Sequence, residues 1–253
     1  NAPDNLCDTA QNSYDQSKEL IDRWHNRNRS LYAITPRFAP TSTPQQLEVA
    51  ATLYKENDGV YVQSHVSENV DEIAWVAELF PQASSYLDVY NRFNLLGPRA
   101  LYGHGVHFSE GDMEMLKATD ASIIHCPTSN LFLGSGLFDY QEFKNIDARV
   151  ALGTDIGGGT SLSPFITMKA AYEIAQLRNY SLSAFEAFYL LTLGGAKALH
   201  LDDKIGRIAP GYEADLTIIN LKSTEMINNR MKHGNDLADI LFSQVILADD
   251  RAI

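Results

Sequence analysis

Five short apolar runs, each ending abruptly in polar residues, constrain this chain most strongly. They are Leu31–Ile34 before T-P-R-F, Val60–Gln63 before S-H, Ala100–Tyr102 before G-H-G-V-H, Ala121–Ile124 before H-C-P-T-S-N, and Arg149–Leu152 before G-T-D-I-G-G-G. Continuous apolar runs bounded by turn residues are the pattern of strands buried on both faces. Helical patterns lie between them. Thr43-Pro44-Gln45-Gln46 predicts a capping box with proline in the first turn, and Leu47, Ala50, Ala51 and Tyr54 follow on one helical face. Ile73, Val76, Ala77 and Phe80 repeat that spacing until Pro81, and Ser109 opens a helix running towards Leu116. Strands alternating with helices predict an α/β fold with a parallel sheet.

In a (β/α)8 barrel the active site forms where strands end and the following loops begin. Four of the five runs end in an arginine, histidine or aspartate at that place. Beyond Asp155 two long helical patterns, 164–178 and 184–200, start at Ser163-Pro164 and at the capping box Ser183–Glu186. Pro210-Gly211 then marks a turn, and Leu216–Ile219 reads as a strand of a small β element outside the barrel. The expected division is therefore a barrel portion over 1–200 and a return segment towards a small β-sandwich over 201–253.

Hydrophobic residues make up 45% of the 253 and charged residues 21%, which excludes a disordered chain. A formal charge of −12 without a dense basic cluster argues against a nucleic-acid partner. Two cysteines make no disulfide framework and fit a reducing, cytoplasmic setting. No apolar run reaches the length of a membrane span. The stretch N-A-P-D-N-L-C-D has neither a basic nor an apolar segment, so no signal peptide is expected there, and it lacks an initiator methionine.

Seven histidines are present. His25, His200 and His233 lie in helical or loop contexts without evident partners, whereas His65, His104 and His125 each follow an apolar run. Zinc binds neutral imidazoles and carboxylates held on a rigid frame, with one position open to water. Three strand-end histidines together with Asp155 in G-T-D fit that need. Glu68, three residues after His65, has two open readings: a carboxylate that moves a proton at the site, or an acid placed at the start of a helix.

The stretches T-P-R-F-A-P at 35–40, Q-S-H-V-S-E-N at 63–69, G-H-G-V-H at 103–107, H-C-P-T-S-N-L-F-L-G-S-G-L-F at 125–138 and G-T-D-I-G-G-G-T at 153–160 resemble the amidohydrolase superfamily. The first and fourth resemble its guanine deaminase branch in particular. The resemblance implies a TIM barrel of which this chain supplies strands four to eight, hydrolysis of guanine to xanthine and ammonia in purine catabolism, and a homodimer. It implies one zinc per chain, with iron as an alternative metal. His65 and Asp155 then look like metal ligands, with His104 beside the metal or bound to it. Glu68 looks like the proton shuttle, and Arg37 and Phe38 like the pair that recognises the base, Arg37 at the exocyclic oxygen and Phe38 on the ring. His107, His125 and Asn130 receive no role.

The family's H-x-H metal-binding pair is found nowhere in these residues, and H-G-V-H at 104–107 has another spacing. The expectation is a barrel lacking its first three strands, a truncated part of a longer enzyme that is inactive alone. Three rival readings remain. One is an amidohydrolase acting on a different aminopurine, pterin or triazine. Another is a metal-free binding or assembly module that retains the motifs. The third is a split enzyme completed by another subunit.

Overall fold

The computed structural model describes residues 3–234 and 236–253. Asn1 and Ala2, which open the stretch read as no signal peptide, lie outside them. The five apolar runs become strands β1 (Ala33–Ile34), β2 (Tyr61–Val66), β3 (Ala100–His104), β4 (Ser122–His125) and β5 (Arg149–Leu152). They form one parallel sheet in sequential order β1-β2-β3-β4-β5. Sequential parallel order with helical crossovers is the arrangement of consecutive strands in a (β/α) barrel. It also brings every strand's C-terminal end to one side.

Helix α1 (Ala10–Trp24) precedes the sheet. The crossovers are α2 (Pro44–Glu56) after β1, α3 (Val70–Leu79) and α4 (Tyr86–Arg92) after β2, α5 (Glu110–Thr119) after β3, and α6 (Pro127–Phe132) and α7 (Tyr140–Asn145) after β4. The expected start signals act as capping boxes: Thr43 with Gln46, Ser109 with Asp112, and Ser183 with Glu186. Each satisfies first-turn N–H groups that a helix leaves without internal partners.

Register places Ser64, Tyr102, Ile123 and Val150 in one row across the sheet. All four are buried, and helix residues Leu47, Leu53, Leu87, Tyr90 and Leu116 belong to the same core. The opposite face departs from the expected burial on both sides, since Gln63, His65, Leu101 and Ile124 are only partly buried. Five strands do not curl far enough to close on themselves, so this face has no facing layer of strands to cover it.

Downstream lie α8 (Pro164–Leu177), α9 (Ala184–Leu191) and α10 (Leu193–Ala198). The single helix expected over 184–200 is broken at Thr192, whose backbone leaves the helical region at φ −119° and ψ −99°. Leu216–Ile219 forms no strand. Leu216 and Ile218 are 60% and 87% exposed, and no strand among the described residues pairs with them. An isolated extended segment has no ladder to satisfy its backbone, so β propensity alone does not make it a strand. Instead the C-terminal region contributes two helices, α11 (Glu225–Met231) and α12 (Leu237–Leu247), whose Ile227 and Val245 join the common core. No described helix is long and apolar enough to cross a membrane.

Candidate metal centre

The C-terminal ends of β2 and β3 and the loop after β5 converge on His65, His104 and Asp155. One ligand atom from each lies within 4.8 Å of the others, the one such group of three or more among the described residues. The His65 and His104 rings stack with centroids 5.4 Å apart. His104 Nε2 lies 3.6 Å from Glu68 Oε2 and 3.8 Å from Asp155 Oδ2.

Backbone conformation is part of how these groups meet. Ser67, His104 and Asp155 have φ of 47°, 76° and 48°, in the left-handed region that L-residues rarely occupy. His104 pairs in register with Val66, whose side chain is in the core. Simple alternation would send His104 the same way. Its left-handed backbone turns the ring towards His65 instead. Such strain costs about 1–3 kcal/mol per residue and persists where the surroundings over-determine it.

Both imidazoles are fixed through Nδ1. His65 Nδ1 donates to the Arg37 carbonyl oxygen at 2.5 Å, and His104 Nδ1 donates to Asn130 Oδ1 at 2.9 Å. That leaves each Nε2 with its lone pair for a metal, the usual arrangement of histidine ligands. Two imidazole nitrogens and a carboxylate suit zinc or a similar divalent ion. The donor set therefore fits a metal, as three of its ligands. Close approach by the G-T-D-I-G-G-G turn is part of the site. A Cβ at Gly158 would come within 2.7 Å of Ser129 Oγ and 3.1 Å of Asp155 Oδ2.

Glu68 is not the cap of the helix it precedes. Asn69 caps α3, paired with Glu72, while Asp71 and Glu72 supply the first-turn charge. The Glu68 carboxylate turns the other way. Oε1 accepts a hydrogen bond from Ser135 Oγ at 2.9 Å, and Oε2 faces His104.

Arg37 and Phe38 follow β1 at the same end of the sheet. The guanidinium lies 5.0 Å over the Phe38 ring, and Trp75 of α3 meets that ring edge-on at 6.5 Å. Trp75 carries no local motif that marks it from sequence, Ser135 lies inside the 125–138 stretch without being singled out by it, and Tyr90 again has no motif. Their partners here lie 37, 67 and 25–51 residues away.

Of the residues without an assigned role, Asn130 orients His104, and His107 Nε2 donates to the Ser135 carbonyl oxygen at 2.7 Å. His125 is structural. Its ring stacks on Phe138 at 4.4 Å, and burial, aided by the neighbouring His104, pushes its pKa down to about 3. It is therefore a neutral packing group near pH 7. Burial also pushes the Cys126 thiol up to about 12, so it is no thiolate nucleophile.

The model of the amidohydrolase family matches residues 4–242. The chain belongs to the amidohydrolase family. It is 50% identical over its whole length to guanine deaminase of Escherichia coli K12, covering 58% of that protein. The structure of the E. coli enzyme superposes with a TM-score of 0.99, over 100% of this chain and 59% of the other. A guanine deaminase from C. acetobutylicum with guanine bound in its active site gives 0.88 at 31% identity, over 100% and 60%. An adenosine deaminase from Xanthomonas campestris with bound zinc gives 0.80 at 25% identity, over 94% and 53%. The chain thus spans a little over half the length of these amidohydrolases. The amidohydrolase assignment agrees with the parallel sheet and with the His-His-Asp cluster at its strand ends.

Proposed function

We propose that this chain carries the proton-transfer, base-recognition and part of the metal-holding machinery of a zinc-dependent guanine deaminase. The observation that carries the reading is the His65–His104–Asp155 cluster with Glu68 beside it, in a chain half identical throughout to an enzyme of that name. The overall reaction is guanine plus water to xanthine plus ammonia.

A divalent metal bound here lowers the pKa of its water to roughly 7, so a nucleophile is available at neutral pH. His65 and His104 are held in orientation by their Nδ1 bonds. Asp155 accepts the proton that leaves the attacking water. Glu68 takes the water's other proton and delivers it from Oε2 to the ring nitrogen beside C2 as the oxygen adds there, and the proton held by Asp155 leaves with the amine as ammonia. The Arg37 guanidinium donates to the exocyclic oxygen and Phe38 packs on the ring. An adenine-type amine there would set donor against donor, a mismatch that disfavours it.

One zinc per full-length chain, with iron as an alternative, and a cytoplasmic homodimer complete the proposal. So does the division into a barrel portion over 1–200 and a return segment over 201–253. Three ligands fall short of a family site that includes an H-x-H pair. The 253 residues alone are therefore expected to give no xanthine from guanine, even with zinc added. The full-length protein that its gene encodes is expected to release xanthine and ammonia in equal amounts. A zinc-loaded full-length protein that leaves guanine untouched would overturn the reading, and metal analysis finding no zinc or iron would favour the binding-module alternative.

Arg37→Ala tests recognition separately. Losing a charge-assisted hydrogen bond worth about 1.5–3 kcal/mol should lower kcat/KM for guanine roughly ten- to hundredfold. Aminopurines without the exocyclic oxygen should lose far less. Equal losses would show that Arg37 does not read that oxygen.

A further inference from the structure

We propose that Ser135 is a positioning residue for Glu68, holding one carboxylate oxygen so that the other faces the reaction; this rests on the deaminase reading above. The two oxygens of Glu68 have different surroundings. Oε1 accepts from Ser135 Oγ at 2.9 Å, while Oε2 lies 3.6 Å from His104 Nε2. The side chain is 21% exposed. Without an anchor, a glutamate at the mouth of an open strand end has rotamers that point into solvent.

Ser135 is itself fixed at both of its backbone polar groups. Its N–H donates to the Asn130 carbonyl oxygen at 2.9 Å, and its own carbonyl oxygen accepts from His107 Nε2 at 2.7 Å. The His107 N–H in turn donates to the Ser67 carbonyl oxygen at 3.2 Å, beside Glu68 in the chain. The bonds Ser67–His107, His107–Ser135 and Ser135–Glu68 therefore close a ring through the loops after β2, β3 and β4. Gly136 makes the ring possible. Its φ is 133°, and a Cβ there would lie 2.9 Å from Val106 Cγ1 and 3.2 Å from His107 Cε1. Ser135 is buried, so water competes little for the hydroxyl.

A group that takes up a proton and delivers it in every turnover must return to the same place each time, and a misplacement of about 1 Å lowers turnover steeply. The anchored oxygen supplies that return point. The Ser135 hydroxyl bonds Glu68 and not one of the three metal-ligand candidates, so its effect should appear in kcat and not in guanine binding.

Two measurements test this. In crystals of the full-length zinc protein, wild type should show one Glu68 rotamer, and Ser135→Ala should split or displace it. In solution, Ser135→Ala should lower kcat about ten- to thirtyfold with KM for guanine within about twofold and zinc content unchanged. Ser135→Thr, which keeps the hydroxyl, should restore most of kcat. An unmoved Glu68 carboxylate in Ser135→Ala, wild-type kcat, or a loss confined to KM would overturn the proposal. The rotamer measurement needs no turnover, so it stands or falls even if wild type proves to act on another base.

Discussion

In the full-length protein, Glu68→Gln is expected to lower kcat for guanine by about 10³-fold, within the range that general acid–base groups contribute. The substitution is nearly isosteric. Its amide oxygen can still accept the Ser135 hydroxyl, so the loop geometry should survive. What disappears is the capacity to take and release a proton at Oε2, the oxygen that faces His104. Glu68 is not one of the three clustered metal-ligand candidates, so zinc content should match wild type. KM should change by only a few fold, because a group that acts on the proton in the transition state adds little to ground-state binding. Steady-state kinetics paired with metal analysis give the answer. A variant within tenfold of wild type would show that another group moves the proton.

Tyr90→Phe should destabilise the fold by about 2–5 kcal/mol, because it takes the partner from one buried and one partly buried backbone group at once. The Tyr90 hydroxyl accepts from the Ala39 N–H at 3.0 Å and donates to the His65 carbonyl oxygen at 2.8 Å. Its ring is fully buried against Tyr102, with centroids 4.8 Å apart, so water has no route to replace the lost oxygen. This one hydroxyl ties the residue after Phe38 to the backbone of His65. The loop that carries Arg37 and Phe38 and the strand that carries His65 are thus set relative to each other from behind the sheet. Denaturant unfolding of the Phe variant should show the loss, and KM for guanine should rise as Phe38 loosens. Unchanged stability would mean that the tie is dispensable.

Much of this architecture can be read from the chain itself. The five strands, the capping boxes at Thr43, Ser109 and Ser183, and the strand-end positions of His65, His104 and Asp155 all follow from local pattern. Local pattern works there because each signal, an apolar run or a cap, acts within a few residues. It fails where the deciding interaction is distant. Leu216–Ile219 has strand composition but no strand among the described residues to pair with, and α12 is set by packing against α8 and α9. Glu68 is ambiguous in sequence because an acid before a helix serves either purpose. The contact with Ser135, 67 residues on, separates the two. The tight turn of His104 is likewise invisible in composition, since even residues enriched at positive φ, histidine among them, adopt it only rarely.

The left-handed backbone at Ser67, His104 and Asp155 also limits the routes by which this scaffold can change. A β-branched replacement at any of the three would be penalised by backbone geometry before its chemistry was tried. Variants selected for new substrates should therefore accumulate elsewhere. Arg37 and Phe38, and the exposed side chains Leu131, Phe132 and Leu133 beyond α6's buried start, have ordinary backbone and room to vary. In a mutational library the three strained positions should appear as fixed points around which specificity drifts.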